Sequence, residues 1–160
     1  MIYLDTAALV KLIRREPESD ALADWLDARA ATLVTSALAE VELPRALRRT
    51  EPALVAAAPA LLERIARYEI DELVRTTATS YTSADLRSLD AIHLATALAV
   101  FGNQLTSFVS YDKRLLGAAE ALGLPVASPG AVTLPCGASG KRGTDCSAAL
   151  TRQPCPDINV

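Results

Sequence analysis

The sequence predicts a single α/β domain in which helices cover both faces of a parallel sheet. Short apolar or β-branched runs alternate with longer amphipathic segments from the N-terminus to residue 130. Parallel strands require crossover connections, and these connections are nearly always helical. The chain has 160 residues, of which 51% are hydrophobic and 22% charged, so it carries enough apolar surface for one packed core.

The first half of the chain predicts strands as short apolar runs and helices that begin at a capping residue or after a proline. In order, these are a strand at residues 2–5, a helix at 6–15 capped by Thr6 and stopped by Pro17, a helix at 18–29, a strand at 32–35, a helix from the cap Ser36 to residue 49, and a helical region at 52–68 kinked near Pro59.

The second half continues the alternation and closes on an edge strand. The elements are a strand at residues 70–74, a short helix or loop at 77–86, an apolar helix at 90–101, a strand at 107–110, a helix at 113–122 and a short strand at 124–126.

The composition changes after residue 130. All three cysteines, Cys136, Cys146 and Cys155, lie in the last thirty residues, together with several glycines and prolines and only scattered apolar residues. Such a segment cannot bury much surface. We therefore expect a domain at residues 1–130 followed by a disordered tail at 131–160.

Charge and composition exclude several classes of protein. Sixteen Lys and Arg against 19 Asp and Glu give a net charge of −3, so overall charge alone cannot hold nucleic acid, and any nucleic-acid partner must be handled locally. Seven aromatic residues are too few for a base-stacking platform. One histidine and the wide spacing of the cysteines argue against a zinc site. Without a signal peptide or a long apolar segment, we expect a cytoplasmic protein.

Acidic residues stand where a parallel sheet places its ligands. Asp5 ends the first predicted strand, Asp112 follows the strand at residues 107–110, and Asp90 begins an apolar helix. The helix after Ser36 offers Glu40 and Glu42, which point about 200° apart on a helical wheel, and the pattern does not choose between them.

Carboxylates that converge in one cleft repel each other unless a cation neutralises them. Oxygen ligands without histidine or cysteine favour Mg²⁺, with Mn²⁺ as the alternative. Such a metal could bind a phosphodiester and activate a water molecule. Taken one at a time, the same acids are better explained by helix caps, turn residues or surface ion pairs, and it is their joint placement that favours a metal site.

Four blocks of the sequence resemble the PIN-domain ribonucleases of the VapC toxin family. They are residues 2–6 (IYLDT), 35–43 (TSALAEVEL), 86–97 (LRSLDAIHLATA) and 110–115 (SYDKRL), and residues 123–130 (GLPVASPG) also look like the family's closing segment. The blocks occur in the family's order and span nearly all of the predicted domain. The resemblance implies a three-layer α/β/α PIN-like fold with about five parallel strands.

The resemblance also implies a set of site residues. The family's first, third and fourth acids fall on Asp5, Asp90 and Asp112, and its spacing from the serine that opens the helix puts the second on Glu42. These four residues would be both the catalytic and the metal-binding residues. Ser110 and Thr6 would support them as neighbouring hydroxyl groups.

For function, the resemblance implies a metal-dependent endoribonuclease toxin of a type II toxin-antitoxin system that cuts structured RNA such as tRNA or rRNA. It further implies a homodimer and inhibition by a VapB-like antitoxin. A non-catalytic PIN-like module that binds RNA or a partner is the alternative. His93 could be a general base, but in its apolar run a packed, hydrogen-bonded histidine is the stronger expectation.

Overall fold

The computed structural model describes residues 1–131, and these form a five-stranded sheet in which all neighbouring strands are parallel. The spatial order is β3-β2-β1-β4-β5. Apart from Ala131, the predicted tail and its three cysteines lie outside the described residues. The strands are β1 (Ile2–Leu4), β2 (Leu33–Ser36), β3 (Ala66–Tyr68), β4 (Ser107–Val109) and β5 (Val126–Ala127).

Helices connect the strands and cover both faces of the sheet, which confirms the predicted three-layer arrangement. A 3₁₀ segment, Pro52–Ala57, precedes α4, and a π-helical segment, Thr96–Phe101, continues α6. The helices are α1 (Thr6–Ile13), α2 (Ser19–Asp27), α3 (Ala39–Thr50), α4 (Ala58–Leu62), α5 (Glu72–Ser80), α6 (Ser88–Ala95) and α7 (Lys113–Ala121).

Two hydrophobic cores flank the sheet, and β1 contributes alternate residues to each. Ile2 and Leu4 pack against α1, α2, α3 and α4 on one face. Tyr3 packs against α6 and α7 on the other face, stacked on Phe108 with ring centroids 5.1 Å apart. Because side chains alternate along a strand, a central strand buried on both faces reads as a continuous apolar run.

The prediction of a strand at residues 70–74 is wrong. That segment leads into α5, whose cap Asp71 accepts a hydrogen bond from the backbone nitrogen of Val74 at 2.9 Å. The third strand is Ala66–Tyr68, which the sequence assigned to the preceding helical region. Both Ala66 and Arg67 are exposed on this edge strand, so it carries no apolar pattern to reveal it.

Two of the predicted helix caps are also wrong. Asp5, not Thr6, caps α1, because its Oδ1 accepts from the backbone nitrogen of Ala8 at 2.8 Å. Ser36 ends β2, and α3 begins three residues later at Ala39. The side chain of Thr6 is therefore available for other contacts.

The strand order reverses at β1, because the chain first adds β2 and β3 on one side and later β4 and β5 on the other. In open α/β sheets the crevice at such a reversal, beyond the carboxyl ends of the strands, is the usual ligand site. Asp5 directly follows β1, and Ser110 directly follows β4.

No helix within residues 1–131 is both long and apolar enough to cross a membrane.

Candidate active site

Asp5 lies at the centre of this crevice and is almost fully buried, with 3% of its surface exposed. One carboxylate oxygen caps α1, and the other accepts a hydrogen bond from Ser110 Oγ at 2.5 Å across the β1–β4 boundary. Burial raises the pKa of Asp5 to about 6, against the lowering effects of the Ser110 hydrogen bond and the nearby His93. The charge of Glu42 adds to the increase. Asp5 is thus a buried acid with an acidic neighbour.

Glu42 belongs to a hydrogen-bonded chain that starts inside the second core. His93 Nε2 lies 2.9 Å from Glu42 Oε2, and Thr6 Oγ1 donates to the same oxygen at 2.5 Å. On the other side of the imidazole, the Tyr3 hydroxyl lies 2.8 Å from Nδ1. Burial alone would raise the pKa of Glu42, but the His93 and Thr6 hydrogen bonds outweigh it and the pKa is lowered.

The chemistry of these partners assigns the protons. A carboxylate only accepts, so His93 donates to Glu42 through Nε2–H; in the neutral imidazole Nδ1 then accepts from the Tyr3 hydroxyl. Burial raises the pKa of Tyr3 well above its usual value, so the hydroxyl keeps its proton. His93 is 3% exposed, in line with the expectation of a packed, hydrogen-bonded residue. His93 also orients Glu42, a role that the sequence did not reveal.

Asp90 and Asp112 are joined by one cation, Arg114. Its Nη2 lies 3.0 Å from Asp90 Oδ2 and 3.4 Å from Asp112 Oδ2. Asp112 also caps α7, since its Oδ1 accepts from the backbone nitrogen of Arg114 at 2.8 Å. Asp90 lies in the first turn of α6.

Glu40, the acid that the sequence left as an alternative to Glu42, points elsewhere. Its side chain is 53% exposed and forms an ion pair of 2.6 Å with Arg67 on the edge strand. The two glutamates leave α3 in different directions, as the helical wheel predicts. The structure therefore places Glu42, and not Glu40, near Asp5.

The four predicted acids do not form a ready-made metal cage. Among residues 1–131, no group of three or more His, Cys, Asp or Glu side chains is arranged to hold a metal ion. Arg114 and His93 instead hold three of the acids, while Asp5 has no ion-pair partner within the described residues. The donor chemistry still fits a hard cation, because every predicted ligand is a carboxylate and the most buried one lacks a positive partner.

Two contacts of this site were missed in the sequence. Tyr3 lies on β1, and Asp5 continues the extended backbone one residue beyond that strand. Side chains two residues apart in extended chain share a face, so the approach of Tyr3 to the site could have been inferred. Arg114 follows Asp112 by two residues in the first helical turn. Its pairing with Asp90, 24 residues earlier, depends on how α6 and α7 pack and leaves no sequence signal.

Comparison with known proteins places these features in a family. A model described as "PIN domain" matches residues 2–121. Ribonuclease VapC35 of Mycobacterium tuberculosis strain H37Rv is 58% identical over 132 residues, covering 81% of this chain and 98% of that protein.

Two solved structures share the fold at low sequence identity. The M. tuberculosis sarcin-ricin loop cleaving toxin VapC20 superposes with a TM-score of 0.65 and 14% identity, covering 81% of this chain and 100% of that one. A toxin-antitoxin complex from Klebsiella pneumoniae superposes with a TM-score of 0.61 and 18% sequence identity, and the match covers 81% of this chain and 98% of that one. With the family match and the 58% identical relative, the conclusion is direct. The chain belongs to the PIN-domain family, among the VapC ribonucleases.

Proposed function

We propose that this protein is the endoribonuclease toxin of a type II toxin-antitoxin system and that it hydrolyses phosphodiester bonds of structured RNA. The observation that carries the proposal is the buried Asp5 at the sheet's switch point, with Glu42 close enough to raise its pKa. A buried carboxylate with an acidic neighbour is costly unless it serves to bind a cation. The ribonuclease name of the 58% identical relative supports the same activity.

We infer that Asp5, Glu42, Asp90 and Asp112 hold Mg²⁺, or Mn²⁺ in its place. The bound metal would polarise the phosphodiester and lower the pKa of the attacking water. The chain's own groups prepare the ligands: Ser110 fixes one oxygen of Asp5, and His93 fixes Glu42.

The net charge of −3 requires a local means of attracting RNA, and α3 supplies one. Arg45, Arg48 and Arg49 are exposed on the helix that carries Glu42, and the charge of Arg49 contributes to the lowered pKa of Glu42. These arginines would contact phosphates that flank the cleavage site. The proposed substrate is structured cellular RNA, tRNA or rRNA.

Two protein partners belong to the proposal. A cognate VapB-like antitoxin is supported by the fold shared with a solved toxin-antitoxin complex. A homodimer is supported by the exposed apolar residues Val41 and Leu89, 59% and 46% exposed and each adjacent in sequence to a predicted site acid. A second copy covering them would bring two sites to a shared groove. The proposed compartment is the cytoplasm.

Cleavage of total cellular RNA by the purified protein tests the function, with Mg²⁺, Mn²⁺ or EDTA in parallel reactions. We expect discrete fragments that require metal and that Asp5→Asn abolishes, with a loss of at least about 100-fold. Asp71→Asn is the matched control, because Asp71 caps α5 as Asp5 caps α1 but lies outside the site.

The outcomes separate the two candidate functions. Metal-dependent fragments in the parent and in Asp71→Asn, but not in Asp5→Asn, would support the nuclease. A folded parent that binds RNA and cleaves none with either metal would favour the non-catalytic module. Cleavage that survives in Asp5→Asn would show that the assigned site is wrong.

A further inference from the structure

Arg114 is the cation of the candidate site. Among residues 1–131, it is the only Lys or Arg that forms an ion pair with any of the four predicted acids. Its Nη2 group contacts both Asp90 and Asp112, at 3.0 and 3.4 Å. The side chain begins in the first turn of α7 and is 34% exposed, so it reaches the site without being enclosed by it.

The hydrogen-bonding capacity of this guanidinium is largely unused. Within residues 1–131, all its side-chain hydrogen bonds leave from Nη2, although a guanidinium carries five N–H donors. Nε is buried and has no acceptor among the described residues. A buried donor without an acceptor costs free energy because it has lost its hydration. Asp90 and Asp112 therefore neutralise the charge of Arg114 but leave several of its N–H donors without an acceptor among the described residues.

Part of the Arg114 side chain is accessible from the outer side of the site. Arg114 lines a surface cleft of about 280 Å³, together with Ser83, Asp85 and Gly117. The cleft lies between the loop that precedes α6 and the exposed side of α7. An anion bound there could contact Arg114 while Asp90 and Asp112 remain in place.

A phosphate oxygen matches the unused donors. Arginine donates N–H···O bonds to phosphate oxygens, and Nη1 of Arg114 offers two donors that the acid pair leaves unused within residues 1–131. We propose that Arg114 is a substrate-binding residue that holds a non-bridging oxygen of the RNA phosphate beside the acid pair. This inference rests on the proposed nuclease function. In the metal-free protein, Arg114 is also the counter-ion of Asp90 and Asp112.

This double role predicts opposite effects on metal and on RNA. Removing the guanidinium takes a positive charge away from two metal-binding acids, so the metal should bind as tightly as before or more tightly. The same change removes the phosphate contact, so RNA should bind more weakly. A residue that only supports the acids would, when removed, weaken metal binding and activity together.

The test compares Arg114→Gln with Lys113→Gln, which removes an exposed positive charge from the adjacent residue. Calorimetric titration with Mn²⁺ measures metal affinity. Fluorescence anisotropy with labelled bulk tRNA in Mn²⁺ measures RNA affinity, in an Asp5→Asn background that prevents cleavage. For Arg114→Gln we expect an Mn²⁺ Kd equal to or below the parent's, an RNA Kd at least 10-fold higher, and kcat/KM at least 10-fold lower. Lys113→Gln should change each by less than about 3-fold.

Arg114→Lys keeps the charge and loses the planar fork, so it tests the proposal if the glutamine variant folds poorly. We expect parental Mn²⁺ affinity and an RNA Kd between those of the parent and Arg114→Gln. Weaker Mn²⁺ binding in both Arg114 variants, or unchanged RNA affinity and kcat/KM, would overturn the proposal. Either result would leave the parent's cleavage intact, whereas a parent that cleaves no RNA would reject the nuclease function and this inference with it.

Discussion

Tyr3 acts on the candidate site through His93. Its hydroxyl occupies Nδ1 and so fixes Nε2 as the nitrogen that donates to Glu42. The imidazole is held between a phenol in the core and a carboxylate at the crevice, at 2.8 and 2.9 Å. Groups that hydrogen-bond to a metal ligand, as His93 does to the proposed ligand Glu42, typically affect metal affinity or rate by about 10–100-fold.

Tyr3→Phe should therefore lower the Mn²⁺ affinity and the cleavage rate by about 10-fold or more. The ring remains and keeps its stacking on Phe108, so only the hydroxyl is lost. The matched control is Tyr81→Phe, because the Tyr81 hydroxyl is buried but has no hydrogen-bond partner among the described residues. Isothermal titration and RNA cleavage measure both effects. Equal losses in the two variants would contradict a positioning role for Tyr3.

Asp5 makes the stability of the metal-free protein depend on pH. The pKa of Asp5 is about 6 in the folded protein, against 3.8 for an unperturbed aspartic acid. Between these pH values the folded state keeps the Asp5 proton, whereas the unfolded state has released it. The stability it contributes is complete below pH 3.8 and is lost as the pH rises through about 6. The total loss is about 3 kcal/mol.

Urea unfolding in EDTA at several pH values measures this effect as the difference between the parent and Asp5→Asn. The difference cancels most of the opposite contribution of Glu42, whose lowered pKa makes its stabilisation disappear as the pH falls. We expect the parent to lose stability relative to Asp5→Asn between pH 4 and pH 6.5. A difference that stays constant over this range would show that the Asp5 pKa is not raised.

At the scale of elements, the sequence predicts those parts of the fold whose residues are buried. β1, β2 and β4 are mostly buried, and the predicted bounds of each differ from the observed ones by at most one residue at either end. The edge strand β3 was placed wrongly, because it presents Ala66 and Arg67 to solvent and depends on pairing with β2 for its conformation. Hydrophobic patterns in a sequence indicate which residues are buried, so they do not reveal an edge strand whose side chains are exposed.

In the candidate site, too, local sequence features could be predicted and long-range contacts could not. Asp5, Asp90 and Asp112 could be proposed because they stand at strand or helix ends, and Glu42 because of the family spacing. The contacts that pair these acids join residues far apart in sequence, such as Glu42 with His93 and Arg114 with Asp90. They depend on the packing of α3, α6 and α7, which periodicity alone does not specify.

At the scale of the whole molecule, a short closing segment ties the end of the described chain to the site. In this segment, residues 128–130, Ser128 Oγ donates to the backbone oxygen of Ser110 at 2.7 Å. The Tyr111 hydroxyl donates to the Pro129 oxygen at 2.8 Å. Gly130 has a φ of 78° and packs so closely on Ala21 that an added Cβ would lie 2.7 Å from the Ala21 Cβ. The closing segment thus supports the strand end that holds Asp5.

We propose that the nuclease domain ends with this segment, at residue 130. A chain cut after Ala131 should keep the parent's cleavage rate and melt within about 2 °C of it, since every contact described above remains. A chain cut after Ala127 loses the hydrogen bonds to Ser110 and Tyr111, and should lose about 1–3 kcal/mol of stability together with activity. Calorimetric melting and RNA cleavage on the three chains measure this. Loss of folding or rate in the chain cut after Ala131 would mean that residues 132–160 are part of the working domain.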